Sequence, residues 1–149
     1  MNFEEYLPLA DRTVKPLKSD IENVGHAVLG LFTEIVEFET SLVTGDGVNT
    51  DEEIGDMFWY LALLANTAKI DFNLFTGPRA EKAKEAVNEL VSIHSKDLTT
   101  VLTCLISGAL DDVKKYYIYN SEKVSKEDLD GKIIDILCVL LAVCEFLGS

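Results

Sequence analysis

The chain has 149 residues, of which 48% are hydrophobic, and this length and composition predict one domain with a sizeable buried core. Its 26 acidic residues outnumber 13 basic ones and give a formal net charge of −13, which argues against binding to duplex DNA or to an anionic membrane. The N-terminal stretch lacks the basic-then-apolar order of a signal peptide, and three cysteines without C-x-x-C spacing indicate reduced thiols, so we expect a cytoplasmic protein.

Hydrophobic periodicity predicts an all-α fold. Residues 1–19 contain two prolines and show weak periodicity, so we interpret them as a short helix or an extended arm. The short turn TGDGVN between the first two predicted helices favours antiparallel packing. We expect a single domain with a four-helix-bundle core and additional helices. Apolar residues at helical spacing predict helices over residues 20–43, 50–70, 79–94, 98–119 and 125–147.

Two pairs of acids lie within the first two predicted helices. Glu34 and Glu37 occupy one helix, and Glu53 and Asp56 occupy the other, so each pair shares a helix face. Their neighbours are mostly apolar, and burying several unpaired carboxylates is so unfavourable that a strong positive partner is needed. Hard oxygen ligands with no nearby His or Cys pair suit Mg²⁺ or Mn²⁺. The pattern therefore predicts a metal site for a nucleotide or a pyrophosphate.

Two other interpretations of the same acids stay open. Thr50 can cap the N-terminus of the second helix, with Glu53 returning the hydrogen bond in a capping box. Glu34 and Glu37 can also lie on a solvated stripe, as most helical acids do. Capping and metal ligation are compatible, because one residue can do both.

The acids also carry a family resemblance. Glu34-x-x-Glu37, a gap of 15 residues, and Glu53-x-x-Asp56 followed by the run FWYLALLA resemble the metal-binding signature of the MazG-like, all-alpha nucleoside triphosphate pyrophosphohydrolases. This superfamily includes the dimeric dUTPases and the dCTP pyrophosphatases, and the resemblance covers about the first half of the chain.

The resemblance implies a helical bundle that hydrolyses a (d)NTP, with a deoxynucleotide favoured, to the monophosphate and pyrophosphate. It further implies Mg²⁺ or Mn²⁺ as cofactor and a homodimer or homotetramer. Such an enzyme would cleanse the nucleotide pool or, in a phage, reshape it. The metal-binding and catalytic residues that it implies are Glu34, Glu37, Glu53 and Asp56.

Further residues are candidates for contacts with the substrate. An aromatic residue lies one turn beyond Asp56 on the same face, and a histidine lies three turns before Glu37 on the acid face. Basic residues in the second half offer charge for phosphates, although solvated lysines and core aromatics are more common. Trp59 is assigned to packing. The candidates are His26, Tyr60, Arg79, Lys82, Lys114 and Lys115.

The second half of the chain resembles the first in layout. Residues 105–144 and 31–66 both show a helix, a polar connector, a capped helix and an apolar tail, so residues 98–147 are a candidate degenerate repeat. The chain would then be a fused pseudo-dimer whose second site cannot hold a metal. Alternatively, any two amphipathic hairpins align this well. The comparison places Ala109 and Asp112 against the first acid pair with an offset of 75, and Lys132 and Asp135 against the second with an offset of 79.

A non-enzymatic function is the main alternative. An acidic helical module that binds a nucleotide or another protein without cleaving it has the same composition, and a diphosphate or alarmone hydrolase is a weaker third candidate. The sequence contains no Gly-rich phosphate loop and no Ser-His-Asp or Cys-His set, which argues against covalent catalysis.

Overall fold

A computed structural model describes residues 1–93 and 96–148, with the side chains of all of these except 90–93 and 96–98. The described residues form six α-helices and no strand, which confirms the predicted all-α fold. A 3₁₀ turn, Phe72–Leu74, precedes the fourth helix, and a π-helical turn, Lys114–Ile118, follows the fifth. The helices are α1 (Phe3–Asp11), α2 (Asp20–Thr44), α3 (Gly47–Ala68), α4 (Gly77–Ile93), α5 (Lys96–Val113) and α6 (Lys126–Leu147).

The N-terminal arm is a short helix that packs on α3. Asn2 and Glu5 close a capping box at the start of α1. The buried Leu7 and Ala10 contact small residues in the middle of α3. The side-chain amide of Asn66 donates to the carbonyl of Leu7 at 3.1 Å, which fixes the arm along α3.

The α2–α3 hairpin turns in only two residues. Gly45 ends α2 with a φ of 70°, a left-handed conformation that glycine adopts without strain. Asp46 then caps α3, because its carboxylate accepts from the Asn49 N–H at 3.1 Å. The interpretation of Thr50 as N-cap is wrong, since Asp46 takes that position four residues earlier. Glu53 therefore lies in the interior of α3, where it closes no capping box.

The remaining helices follow the prediction closely. Pro78 lies in the first turn of α4, and the predicted end of this helix at His94 lies outside the described residues. Beyond Val113 the chain continues as the π-helical turn, where the sequence predicted a regular helix to residue 119. Ser125 and Asp128 form the predicted capping box of α6.

One apolar core joins the two halves of the chain. Helix α6 packs against α3, α4 and α5, while α5 also contacts α2, so the second half covers one side of the α2–α3 hairpin. Within the described part of the chain, no helix combines the length and hydropathy needed to cross a bilayer. The largest fully buried core residues include Leu31, Phe38, Met57, Leu61, Leu102, Ile106, Ile133 and Ile134.

An ion pair joins α5 and α6 at the positions matched with the acids of the first half. The Lys132 ammonium lies 2.9 Å from a carboxylate oxygen of Asp112, whose side chain is 5% exposed. Ala109 is buried, and Asp135 pairs with Arg79 at 3.0 Å. A lysine and an acid thus form an ion pair between α5 and α6 at these positions. The internal duplication stays a prediction.

Candidate functional site

Three of the four predicted ligands meet between α2 and α3. Glu34, Glu37 and Glu53 each offer a carboxylate oxygen, and these oxygens lie within 4.8 Å of one another. Glu34 is 9% exposed and Glu53 is 6% exposed, whereas Glu37 opens to solvent. Asp56 lies on α3 one turn beyond Glu53, is exposed, and falls outside this group.

The acidic cluster, Glu34, Glu37 and Glu53, holds a proton near neutral pH. Burial raises the pKa of Glu34 to about 7, and a hydrogen bond with Glu53 and the charges of Glu37 and Asp56 act in the same direction. The Thr33 hydroxyl, 3.3 Å from a carboxylate oxygen of Glu34, lowers this pKa and opposes them. A hydrogen bond between two carboxyl groups needs one shared proton, so Glu34 is largely protonated below about pH 7.

The donor set fits a hard divalent cation. Among the described residues, the charged groups that shift the pKa of Glu34 are all acids, so no lysine or arginine offsets their charge there. Carboxylate oxygens from two helices are the ligands that Mg²⁺ and Mn²⁺ prefer. A cation that displaces the shared proton would relieve the repulsion among these acids, which makes metal affinity dependent on pH.

Tyr60 borders the acidic cluster. Its ring packs on Gly30 so closely that a Cβ atom there would lie 2.1 Å from the ring carbon Cε1, which explains the glycine one turn before Glu34. Burial raises the pKa of Tyr60, and the charges of Glu34 and Asp56 raise it further. Tyr60, which was predicted to face the acids, is therefore close enough for their charges to act on its phenol group.

Two more rings extend this surface. The ring of His26, an exposed residue, stands edge-on to Tyr60 with centroids 5.6 Å apart. Trp59 contacts Tyr60 edge-on at 5.0 Å, and its indole N–H donates to the Thr13 hydroxyl at 2.8 Å. His26, Trp59 and Tyr60 form an aromatic wall beside the acids, and Trp59 has the packing role that the sequence predicted.

Three of the four predicted phosphate-binding cations contact other groups of the described chain. Arg79 donates to the Gly131 carbonyl at 2.9 Å and pairs with α6, while Lys82 is exposed on α4. Lys114 and Lys115 both pair with Asp111, at 3.1 and 2.6 Å. In the part of the chain described, none of these contacts reaches the acidic cluster, so a role in phosphate binding stays a prediction for all four.

Three residues at this site were missed by the sequence analysis. Gly30 and Thr33 lie within one turn of Glu34. A glycine on the acid face of a helix could have indicated that another group packs closely there. Tyr6 of α1 lies near enough to Asp56 for that charge, after burial, to raise the pKa of the phenol. No local pattern reveals Tyr6, because its position depends on the packing of α1 against α3.

Comparison with family models, with curated proteins and with solved structures finds no match for this chain. The family resemblance therefore depends on the spacing of four acids, and a functional conclusion depends on the geometry of the site.

Proposed function

We propose that the chain is a metal-dependent nucleoside triphosphate pyrophosphohydrolase that converts a (d)NTP, with a dNTP favoured, to the monophosphate and pyrophosphate. The observation that carries the proposal is that carboxylate oxygens of Glu34, Glu37 and Glu53 lie within 4.8 Å of one another, and that Glu34 and Glu53 are nearly buried. Such an arrangement destabilises the fold above neutral pH unless a cation binds there. Solvated or capping acids would not be buried together.

Glu34, Glu37 and Glu53 are the residues that would hold Mg²⁺ or Mn²⁺, with Asp56 beside them on α3. When bound, a divalent ion supplies charge neutralisation for phosphoryl oxygens and a lowered pKa for a water molecule. An acidic protein has particular need of this neutralisation, because its net charge of −13 repels a triphosphate.

The protein's own groups supply the proton acceptor. Glu34 or Glu37 would accept the proton of the attacking water. A carboxylate within hydrogen-bond reach of a water molecule can act as its general base. The proton then leaves through the exposed side of the cluster, where Glu37 meets solvent.

The aromatic wall would position the nucleoside. Tyr60 is close enough to the acids for their charges to raise its pKa, and His26 continues the surface toward solvent. An aromatic face beside a phosphate site suits a planar base and its sugar.

A cytoplasmic location, where nucleotides are abundant and thiols stay reduced, agrees with the free Cys104, Cys138 and Cys144.

The test is a panel of the four rNTPs and the four dNTPs, together with dUTP, with Mg²⁺ or Mn²⁺ and separate detection of pyrophosphate, phosphate and monophosphate. We expect equal amounts of pyrophosphate and monophosphate from one or two nucleotides. Glu37→Gln and Asp56→Asn should each abolish turnover and leave the helical circular dichroism unchanged. Glu39→Gln, on the same helix but outside the cluster, is the matched control and should retain activity.

Three results would contradict the proposal. Release of phosphate in place of pyrophosphate would assign a different hydrolase. If no nucleotide of the panel is hydrolysed with either metal, the non-catalytic module is favoured. If both site variants keep full activity, the acids take no part in the mechanism.

A further inference from the structure

A cavity of about 440 Å³ lies between the start of α2 and the end of α5. This α2–α5 cavity is lined by Ile21, Val24 and Gly25 of α2 and by residues of α5 and of the π-helical turn. Small-molecule sites occupy roughly 300–1,000 Å³, so its size is suitable for a ligand. None of the acids of the acidic cluster lines it, and Gly25 lies about 14 Å before Glu34 along α2. The α2–α5 cavity is therefore separate from the candidate metal site.

The wall of the α2–α5 cavity is mainly apolar, and part of this wall is open to water. Ile21 is 47% exposed, Leu110 is 36% exposed and Ile118 is 56% exposed, although all three are aliphatic. A bound apolar group would remove this surface from water, which favours binding. The cavity therefore suits a ligand with an apolar body. The aliphatic residues of the wall are Ile21, Val24, Leu110, Val113 and Ile118.

Gly25 leaves space in the cavity that the described chain does not fill. It lies half-buried inside α2, and a Cβ atom built on it would have no other atom within 4 Å. A glycine in the interior of a helix is less stable than an alanine, so a packing reason is expected for it. Gly30 has such a reason in the Tyr60 ring, whereas Gly25 has none in the described chain. Space kept for a bound molecule accounts for the glycine.

The acid in the cavity wall is already neutralised by two cations. Asp111 has one carboxylate oxygen 3.1 Å from the Lys114 ammonium and the other 2.6 Å from the Lys115 ammonium. Two positive charges thus share one negative charge. Lys114 lines the cavity, and its ammonium group has three donors, of which Asp111 uses one. This lysine can therefore bind an anionic group in the cavity.

Two hydroxyl groups add further hydrogen-bond donors. Ser107 and Tyr117 line the cavity, and within the described residues neither hydroxyl has a hydrogen-bond partner. Burial, followed by the charge of Asp20, raises the pKa of Tyr117, so its phenol stays protonated and can donate. Tyr117 and Lys114 both belong to the π-helical turn, and such turns are frequent at functional sites. The donors of the cavity suit a ligand group that accepts hydrogen bonds.

We infer that the α2–α5 cavity binds a small amphipathic anion, whose apolar body contacts the aliphatic wall and whose anionic group contacts Lys114. Ser107 and Tyr117 supply the additional donors to that group. The net charge of −13 repels anions from most of the surface, so an anion that binds this protein needs a local site of this kind. This inference concerns a different site from the acidic cluster and does not depend on the proposed function.

Fluorescence titration with anilinonaphthalene sulfonate tests this site, because the probe combines an aromatic body with one sulfonate group and fluoresces in apolar surroundings. We expect saturable binding of one probe per chain. Phenylnaphthylamine has the same aromatic body without the sulfonate, and we expect it to bind at least roughly tenfold more weakly. Equal affinity for the two probes would overturn the role of the anionic group.

Two substitutions locate the probe in the cavity. Gly25→Leu fills the space beside α2, and Lys114→Met removes the positive charge, so each should weaken binding of the sulfonate probe at least roughly tenfold. Lys84→Met is the matched control. Lys84 is also a partly exposed lysine in an ion pair, and its partner Glu145 lies in the last turn of α6, outside the cavity. This control should bind the probe with unchanged affinity.

Gly25→Ala distinguishes a filled cavity from a damaged fold. Its added methyl group enters the cavity, so the affinity for the sulfonate probe should fall. The same change should make the protein more stable to urea, because alanine favours a helix more than glycine does. The inference would be overturned if the unchanged protein binds no probe, or if Gly25→Leu and Lys114→Met bind it with full affinity.

Discussion

Glu34 has a largely buried carboxyl group between α2 and α3, and this position makes the stability of the metal-free protein depend on pH. Its folded-state pKa is raised from 4.5 to about 7. The folded state therefore binds this proton more tightly, and the contribution is fully present below about pH 4.5 and is lost as pH rises through 7. The loss amounts to roughly 3 kcal/mol at most.

Glu34→Gln should remove this dependence. In EDTA at pH 8 the variant should be more stable to urea than the unchanged protein, and at pH 5 the difference should shrink. The measurement is the free energy of unfolding of both proteins at the two pH values. A difference that is the same at both pH values would show that Glu34 is an ordinary solvated acid.

Gly30 permits the close approach of the Tyr60 ring, and Gly30→Ala tests that contact. The added Cβ would lie 2.1 Å from the ring, so Tyr60 must move away from its packed position. We expect a net destabilisation of about 1–3 kcal/mol, measured by urea unfolding. Gly25→Ala, on the same helix, places its Cβ where nothing lies within 4 Å and should stabilise the protein by about 0.5–1 kcal/mol. Equal effects of the two substitutions would contradict the packing described here.

At the level of single residues, helical spacing predicts which side chains of one helix share a face. Glu34 and Glu37 meet because a step of three residues keeps side chains on one face, and the α2–α3 hairpin brings Glu53 to them. Asp56, three residues after Glu53, was predicted to join them and lies outside the cluster.

The contacts of Arg79 were not predictable from helical spacing, because they depend on the packing of α4 against α6. The pairing of Lys114 with Asp111, three residues before it, does follow from helical spacing.

Helix existence was predictable and helix ends were less so. Periodicity located α2 to α6 because each helix buries one apolar face over four or more turns. The start of α3 was misplaced because Asp46 and Thr50 are both good N-cap residues. Asp46 follows a left-handed glycine directly, and the chain reverses there with a two-residue connection. The π-helical turn after α5 has no composition signal of its own.

An ion pair of Lys132 adds to the apolar packing of α5 against α6. The side chain of Asp112 is 5% exposed, so the Lys132 ammonium group 2.9 Å away is needed to stabilise its carboxylate charge. Lys132→Met keeps the aliphatic stem and removes the charge, and we expect destabilisation by about 2–4 kcal/mol. The double change Lys132→Met with Asp112→Asn should recover part of that loss, because it removes the unpaired charge. The measurement is a double-mutant cycle based on free energies of unfolding in urea. If Lys132→Met lies within about 0.5 kcal/mol of the unchanged protein, the Lys132–Asp112 pair does not stabilise the fold.

At the scale of the whole molecule, the acidic surface and the acidic cluster respond differently to divalent ions. A net charge of −13 gives any cation a weak, diffuse attraction, which salt screens. Specific binding at the acidic cluster would instead add RT ln(1 + [L]/Kd) to the stability, or about 2.7 kcal/mol at a hundredfold excess over Kd. For a domain of this size that corresponds to a rise in Tm of roughly 5–10 °C.

The expected result is a rise in Tm with MgCl₂ or MnCl₂ that persists at high NaCl. The rise should be larger at pH 8 than at pH 6, because the pKa of Glu34 is about 7 and its proton must leave before the carboxylate can coordinate. Glu37→Gln should reduce the shift, and Glu39→Gln, which removes the same charge from the same helix, should not. A shift that disappears in NaCl, or that both variants share, would reflect the diffuse charge of the surface. The buried acids would then be held by their shared proton alone.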